Sequence, residues 1–437
     1  MKYAQTSPRI FLSAGEASGD HYGALLIAAL RARLTASNPS QQASQHPSQP
    51  EFFGLGGLEM EAAGFRRVVK AEDVAHMGIT EILRHIPRVY GEYRKLVASI
   101  KREKPDVAVL IDFPDVNLRL ARELKALNIP VIYFVSPQLW AWKKGRIDAV
   151  RQRVAKMMVI FPFEQAFYRS QGVDAEFVGH PLAELPLPAI SREEYAAVHG
   201  LNPAKQWIAL LPGSREKEVK LNLPSMLEAA ALLGRQYEFL LPVASTLRTE
   251  AVKAVIHQAS PSTEALLPNS HLVDDARAAL LHAYASVVAS GTATVQAALI
   301  GNPFLVVYRV SGLTYRLAKG MVSYPAEINA EPDQYGNLPI AMVNLISSAI
   351  LGRRAVPELL QQEFNPSSIV SHLRPLLVEE SIRATMRSDL AAVRAALQSP
   401  ASAAEPCSAG FHAIERVCRE VMRQLGQDQH SGEAHCV

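Results

Sequence analysis

The sequence predicts an α/β protein of two doubly wound parallel sheets, and three observations predict it. Runs such as Val107-Ala108-Val109-Leu110-Ile111 and Ile208-Ala209-Leu210-Leu211 are continuously apolar, as strands must be when helices cover both faces of a sheet. Each run stops at a turn and is followed by a helical pattern, so strand and helix alternate along the chain. The length, 437 residues, exceeds one core and fits two domains with a helical extension.

Composition narrows the function. With 45 basic and 42 acidic residues the net charge is +3, so no global field favours nucleic acid. Cys407, Cys418 and Cys436 lack CxxC spacing and predict neither a disulfide framework nor a zinc site, consistent with a reducing cytoplasm. The stretch before Gly15 is too poor in apolar residues for a secretory signal. No Asp, Glu, Lys or Arg occurs between Arg277 and Arg309, yet Ser290-Gly291-Thr292 and Gly301-Asn302-Pro303 divide that run into strand, turn, helix, turn and strand rather than one membrane span.

In chain order, Ile10 to Ala14 reads as a strand and His21 to Arg33 as a helix with Leu25, Leu26, Ala29 and Leu30 on its apolar side. Between them, Gly15-Glu16-Ala17-Ser18-Gly19-Asp20 has neither the GxGxxG spacing nor the lysine of a nucleotide loop. Glu16 and Asp20 are available to sugar hydroxyls, and capping by Ser18 or Asp20 is the alternative. Residues 36–50 are a low-complexity surface insertion of Ser, Gln, Pro and Asn.

Strand and turn resume at Phe52 to Gly57. From Val74 to Val97, Ile79, Ile82, Leu83, Ile86 and Tyr90 fall at helical spacing around Pro87, edged by Arg84, His85, Arg88, Arg94 and Lys95. Such a stripe suits an anionic membrane surface or an ordinary core. The strand Asp106 to Ile111 ends in Asp112-Phe113-Pro114-Asp115. Asp115 is placed to cap the next helix, whereas Asp112 stands at the strand end where open α/β sheets bind ligands.

Pro130 to Val135 opens into Ser136-Pro137 and Trp140-Ala141-Trp142, beside Lys143, Lys144 and Arg146. Aromatics next to cations suit an acyl chain with a phosphate, or simply a packed Trp pair and a solvated basic helix. A strand at Met157 to Phe161 follows, and Pro181 to Pro188 reads as the interdomain linker, with His180 a hydrogen-bonded linker residue.

The second half places strands at Trp207 to Leu211, Tyr237 to Val243, Ser286 to Ala289 and Phe304 to Tyr308, with helices between them. The first ends in Pro212-Gly213-Ser214-Arg215, where a guanidinium can grip a diphosphate or make a surface ion pair. The turn Ser290-Gly291-Thr292 presents a helix N-terminus suited to phosphate. The expected domains are 1–184, 185–365 and C-terminal helices over 366–437 that pack back on the first domain.

Taken together, Gly15 to Asp20, Met77-Gly78-Ile79, Lys104-Pro105-Asp106, Asp112 to Asp115, Ser136-Pro137 with Trp140-Ala141-Trp142, Gly179-His180, Leu211 to Arg215 and Ser290 to Ala293 resemble the lipid-A-disaccharide synthase family, in its order. The resemblance implies a GT-B fold, two Rossmann-like domains facing across a cleft. It implies inverting transfer from UDP-2,3-diacylglucosamine to 2,3-diacylglucosamine 1-phosphate, giving a β(1→6) disaccharide phosphate and UDP in lipid A biosynthesis.

On that pattern Asp112 is the base. Arg215, Ser214, Ser290, Gly291, Thr292, Gln296 and Asn344 bind the nucleotide sugar, and Glu16, Ser18, Trp140 and Trp142 the acceptor. Ile79, Ile82, Leu83 and Ile86 would touch the cytoplasmic face of the inner membrane of a Gram-negative-type bacterium. Neither cofactor nor metal is expected, and a homodimer is left open. Two departures stand out: Gln296 replaces the family's usual Glu, and Ala326 to Ala341 is longer than its counterpart. A UDP-sugar epimerase or a noncatalytic UDP-sugar sensor are the alternatives, the latter having no use for Asp112.

Overall fold

The computed structural model describes residues 7–36, 49–75, 82–142, 144–244, 246–258, 269–400 and 412–426. The chain divides into two compact units, Met1–Glu184 with Gln398–Val437, and Leu185–Leu397. The division falls inside the proline-rich run Pro181 to Pro188.

In the first unit, β1 (Arg9–Ala14), β2 (Glu51–Gly56), β3 (Arg66–Lys70), β4 (Val107–Ile111), β5 (Val131–Phe134), β6 (Lys156–Val159) and β7 (Ala175–Phe177) form one sheet. Their order is β3-β2-β1-β4-β5-β6-β7, and every pair is parallel. All of β4 and β5 is buried. Each buried Val, Leu or Ile contributes about 1.5–3 kcal/mol, which makes these central strands the anchor of the unit.

The second unit repeats the plan with β8 (Gln206–Leu211), β9 (Tyr237–Pro242), β10 (Ser270–Val273), β11 (Ala285–Ala289), β12 (Phe304–Tyr308) and β13 (Glu358–Leu360). Their order is β10-β9-β8-β11-β12-β13, again all parallel. The charge-free run resolves into β11, the helix Thr292–Ile300 and β12.

The C-terminal helices divide between the units, contrary to the expectation that all of them pack on the first. Pro366–Val378 and Glu380–Leu397 belong to the second unit, and His412–Gln424 to the first. The reason is local: Pro366–Val378 lies against the helix Glu216–Leu233, and Glu380–Leu397 against the helices Thr292–Ile300 and Met342–Leu351. Among the described residues no helix is long and apolar enough to cross a membrane.

Each sheet has a point where its strand order reverses, between β1 and β4 in the first and between β8 and β11 in the second. Loops leaving the carboxyl ends of such strand pairs diverge and leave a crevice for ligands.

Candidate active site

In the first unit Ala14 pairs with Ile111, so the loops after β1 and β4 begin side by side. They are pressed together: a Cβ on Gly15 would stand 2.5 Å from the Phe113 ring, so only glycine fits there. Asp112 and Phe113 are both left-handed, with φ of 45° and 48°. Pro114 follows at the first position of the helix Pro114–Ala126, where its fixed φ suits the helix and its missing N–H is not needed.

Asp112 is half-buried. Burial, and then the nearby negative charge of Glu16, push its carboxyl up to about 6, against the pull of the Phe113 N–H. A carboxylate tuned upward at a strand end has the proton affinity of a general base for near-neutral pH. Its backbone carbonyl accepts from Asn117 Nδ2 and from Tyr133 Oη, each at 2.7 Å. Asp115 does not cap the helix as expected. The cap position is Phe113, and Asp115 is exposed and pairs with Arg146 at 2.8 Å.

Glu16 and Ser18 are exposed at the start of the helix Ala17–Ala36. Asp20 is buried and is not open to a sugar. Its carboxylate accepts from the backbone N–H groups of Gly57, Glu59 and Met60 at 2.7, 3.0 and 3.2 Å, capping the helix Leu58–Ala62.

The two tryptophans part company. Trp142 is 44% exposed, whereas Trp140 is 1% exposed, packed edge-on against Phe163, and donates its indole N–H to Glu164 at 3.0 Å. Trp140 therefore serves the packing of the loop, and the acceptor contact expected of it is corrected. Glu164 also accepts from Ser136 Oγ at 2.6 Å and from the Phe161 N–H at 3.1 Å. Burial nevertheless pushes it up to about 7. Tyr168 Oη donates to the Pro137 carbonyl at 2.6 Å, so the 136–142 loop is held at two further points. His180 is buried and driven down to about 4, and its Nδ1 accepts the Leu182 N–H, as befits a neutral linker residue.

In the second unit Leu211 pairs with Val288, which sets the loops after β8 and β11 side by side. The first is shaped by Glu218, whose carboxylate accepts the N–H groups of Ser214 and Arg215 at 2.9 and 3.3 Å. The Arg215 side chain is 76% exposed and 3.4 Å from Glu218, a fork with most of its donors open to an anion. The Ser214 carbonyl accepts from Thr246 Oγ1 at 2.6 Å.

After β11, Gly291 has φ 156° and ψ −163°, a region essentially reserved for glycine, and it starts the helix Thr292–Ile300. Ser290 is half-buried and Thr292 exposed beside the unpaired N–H groups that every helix start presents. Gln296 lies one turn in and is half-buried.

Asn344 does not join this group. It is fully buried, its Nδ2 donates to the Val356 carbonyl and to Glu358 at 2.8 Å each, and its Oδ1 accepts the N–H groups of Ala355 and Val356 at 2.9 and 3.0 Å. Both amide protons and both lone pairs are consumed, which corrects the expectation that it binds the nucleotide sugar. A cavity of about 750 Å³ lies nearby, lined among others by Arg353, Arg354 and Asp389, but it includes neither Arg215 nor Ser290 to Thr292. Arg353 is already forked onto Asp389. Ile79 lies outside the described residues. Ile82, Leu83 and Ile86 open the helix Ile82–Glu103, and their side chains are outside them.

Glu164, Asn117, Tyr133 and Glu218 were not singled out from sequence. Glu164 did carry a signal, an acid at the third position of a helix opened by Pro162. Asn117 closes the Asp112 to Asn117 turn, where a short amide serves the backbone well.

A sequence model of the lipid-A-disaccharide synthetase family matches residues 10–409. The lipid-A-disaccharide synthase of Acidobacterium capsulatum is 53% identical over 407 residues, covering 91% of this chain and 94% of that protein. That of Koribacter versatilis is 46% identical, covering 90% and 94%. Among solved structures, the calicheamicin glycosyltransferase is similar with a TM-score of 0.54 at 16% identity, covering 97% of this chain and all of that one. A UDP-GlcNAc 2-epimerase from Neisseria meningitidis, solved with UDP-GlcNAc, has a TM-score of 0.54 at 12% identity, covering 96% and 100%. These likenesses, with two parallel-sheet units, give the GT-B fold. The chain is an enzyme of lipid A disaccharide synthesis and belongs to the lipid-A-disaccharide synthase family.

Proposed function

We propose that the chain transfers the sugar of UDP-2,3-diacylglucosamine, with inversion, to the 6-hydroxyl of 2,3-diacylglucosamine 1-phosphate, with Asp112 as general base. The observation that carries this reading is the Asp112 carboxylate at the β1/β4 switch point, raised to about 6 and so ionised at neutral pH. As the acceptor oxygen bonds to the anomeric carbon its proton passes to Asp112, the bond from that carbon to the diphosphate oxygen breaks, and UDP leaves. Arg215 and the helix start at Ser290 to Thr292 stabilise the charge that grows on the diphosphate. Glu16, Ser18 and Trp142 belong with the acceptor, being exposed in the same unit as Asp112. Gln296 takes a ribose hydroxyl. A UDP-sugar sensor would have no use for a base at Asp112, and an epimerase no use for a lipid site.

Both substrates carry acyl chains, which supports work at the cytoplasmic membrane surface through the apolar stripe of Ile79, Ile82, Leu83 and Ile86. The decisive experiment incubates wild type and Asp112→Asn with both acylated sugars, following product mass and UDP release together. Base catalysis is worth about 10²- to 10⁴-fold, so the variant should lose at least about a hundredfold in kcat while UDP affinity holds. Near-normal turnover by folded Asp112→Asn would remove the base, and Glu16 would be tested next.

A further inference from the structure

We propose that Asn117 and Tyr133 are positioning residues for the Asp112 carboxylate, holding its backbone in the left-handed conformation that aims the side chain. The inference rests on the reading of Asp112 as base. An aspartate in the left-handed region is tolerated but not preferred, and two such residues in succession persist only where the surroundings impose them. Here the surroundings are specific. The Asp112 N–H donates to the Phe134 carbonyl at 3.0 Å, continuing the β4–β5 ladder one residue past the strand. The Asp112 carbonyl then accepts two side-chain donors, Asn117 Nδ2 and Tyr133 Oη, at 2.7 Å each. Both lone pairs of that oxygen are therefore used, and the peptide plane between Asp112 and Phe113 cannot rotate without breaking both bonds.

Asn117 is itself fixed. It is fully buried, its Oδ1 accepts from Ser13 Oγ at 2.6 Å, and its Nδ2 also lies 3.2 Å from the carbonyls of Ser13 and Ile111. One amide thus ties the ends of β1 and β4 to the Asp112 turn. Tyr133 is fully buried on β5 and reaches the same carbonyl from the other side of β4. Neither residue has a polar atom left for substrate, so each acts through Asp112. The direction of the Asp112 Cα–Cβ bond follows from the backbone angles that this pair enforces, and a base displaced by about 1 Å can lose up to about a hundredfold in rate.

Ordinary structural hydrogen bonds make a different prediction from positioning bonds, and double variants separate them. Tyr133→Phe removes one hydroxyl and keeps the ring. Its kcat should fall roughly tenfold, with the KM for the sugar nucleotide and the affinity for UDP unchanged. Combined with Asp112→Asn, measured by product mass in single turnover, it should bring no further loss, because there is no base left to aim. Asn117→Ala should behave alike, with a larger loss, and Tyr133→Phe carries the test should Asn117→Ala not fold. If Asp112→Asn is inactive while Tyr133→Phe keeps wild-type kcat, or loses the same factor with and without Asp112, the positioning role is overturned and the base stands. If Asp112→Asn itself turns over normally, both fall.

Discussion

The indole N–H of Trp140 and the carboxylate of Glu164 meet at 3.0 Å in the core of the first unit, and that contact anchors the whole 136–142 loop. Burial pushes the Glu164 carboxyl up from its ordinary 4.5 to about 7. The folded state therefore binds its proton more tightly than the unfolded one. The stability this contributes is complete below about pH 4.5 and is lost as pH rises through about 7. Glu164→Gln should abolish that slope, and it should cost about 1–3 kcal/mol because the amide must turn a donor toward another donor. Denaturant midpoints across this range check both effects. An unchanged slope would clear Glu164 of the pH dependence.

Asp112 should set activity against stability. Its carboxyl is raised from 3.8 to about 6, so the rate should fall as pH drops through about 6 and the base takes up a proton. The same shift means that ionising Asp112 destabilises the fold, with stability lost as pH rises from about 4 through about 6. Asp112→Asn should then be more stable than wild type at pH 7.5, by about 1–3 kcal/mol at 1.36 kcal/mol per pH unit, while nearly inactive. Melting temperatures of the two proteins decide the matter, and a destabilised variant would contradict it.

Asn344 should matter for folding alone. Asn344→Ala strips the buried Val356 N–H and carbonyl of their partner and takes one donor from Glu358, which keeps the N–H groups of Ile340 and Ala341, a loss of about 2–4 kcal/mol from the penalties for unsatisfied groups. UDP titrated into the folded fraction by calorimetry should bind as in wild type. Selective loss of UDP affinity would return Asn344 to the nucleotide site.

Gln296 offers a neutral oxygen where a carboxylate would give a stronger hydrogen bond. Charge assistance is worth about 1 kcal/mol beyond a neutral bond, so Gln296→Glu should tighten UDP several-fold. Weaker or equal binding would mean that the side chain does not meet the ribose.

The apolar stripe can be tested without touching the catalytic loops. Replacing Ile82, Leu83 and Ile86 together with Ser should release the protein from anionic vesicles while circular dichroism stays native. Retained vesicle binding by the folded triple variant would end the proposal of membrane contact.

What was legible in the sequence follows a strand's place in its sheet. The interior strands read directly, because residues such as Val107 to Ile111 have no polar face. The four strands that did not read, β3, β7, β10 and β13, are the edges of the two sheets. β3 shows why: Arg66-Arg67-Val68-Val69-Lys70 has one buried position in five, so its pattern is indistinguishable from a loop. The candidate site was legible where a turn residue ends a central strand, as at Asp112, Arg215 and Gly291. It failed where a polar side chain is used inward. Nothing in the letters separates Trp140 from Trp142, or tells that Asp20 spends its oxygens on Gly57 and Met60, since those partners belong to a helix start far along the chain.

The Phe113 ring over Gly15 makes the β1 and β4 loops one mechanical piece. Any side chain at position 15 has to lift the ring, and the ring belongs to the residue next to Asp112. A survey of substitutions scored only by growth or turnover would therefore rank Gly15 among the chemical groups of the enzyme, although glycine contributes no reacting atom. Its apparent importance would be borrowed from its neighbour, and a second change that removes the ring, Phe113→Ala, is where recovery from Gly15→Ala is to be sought.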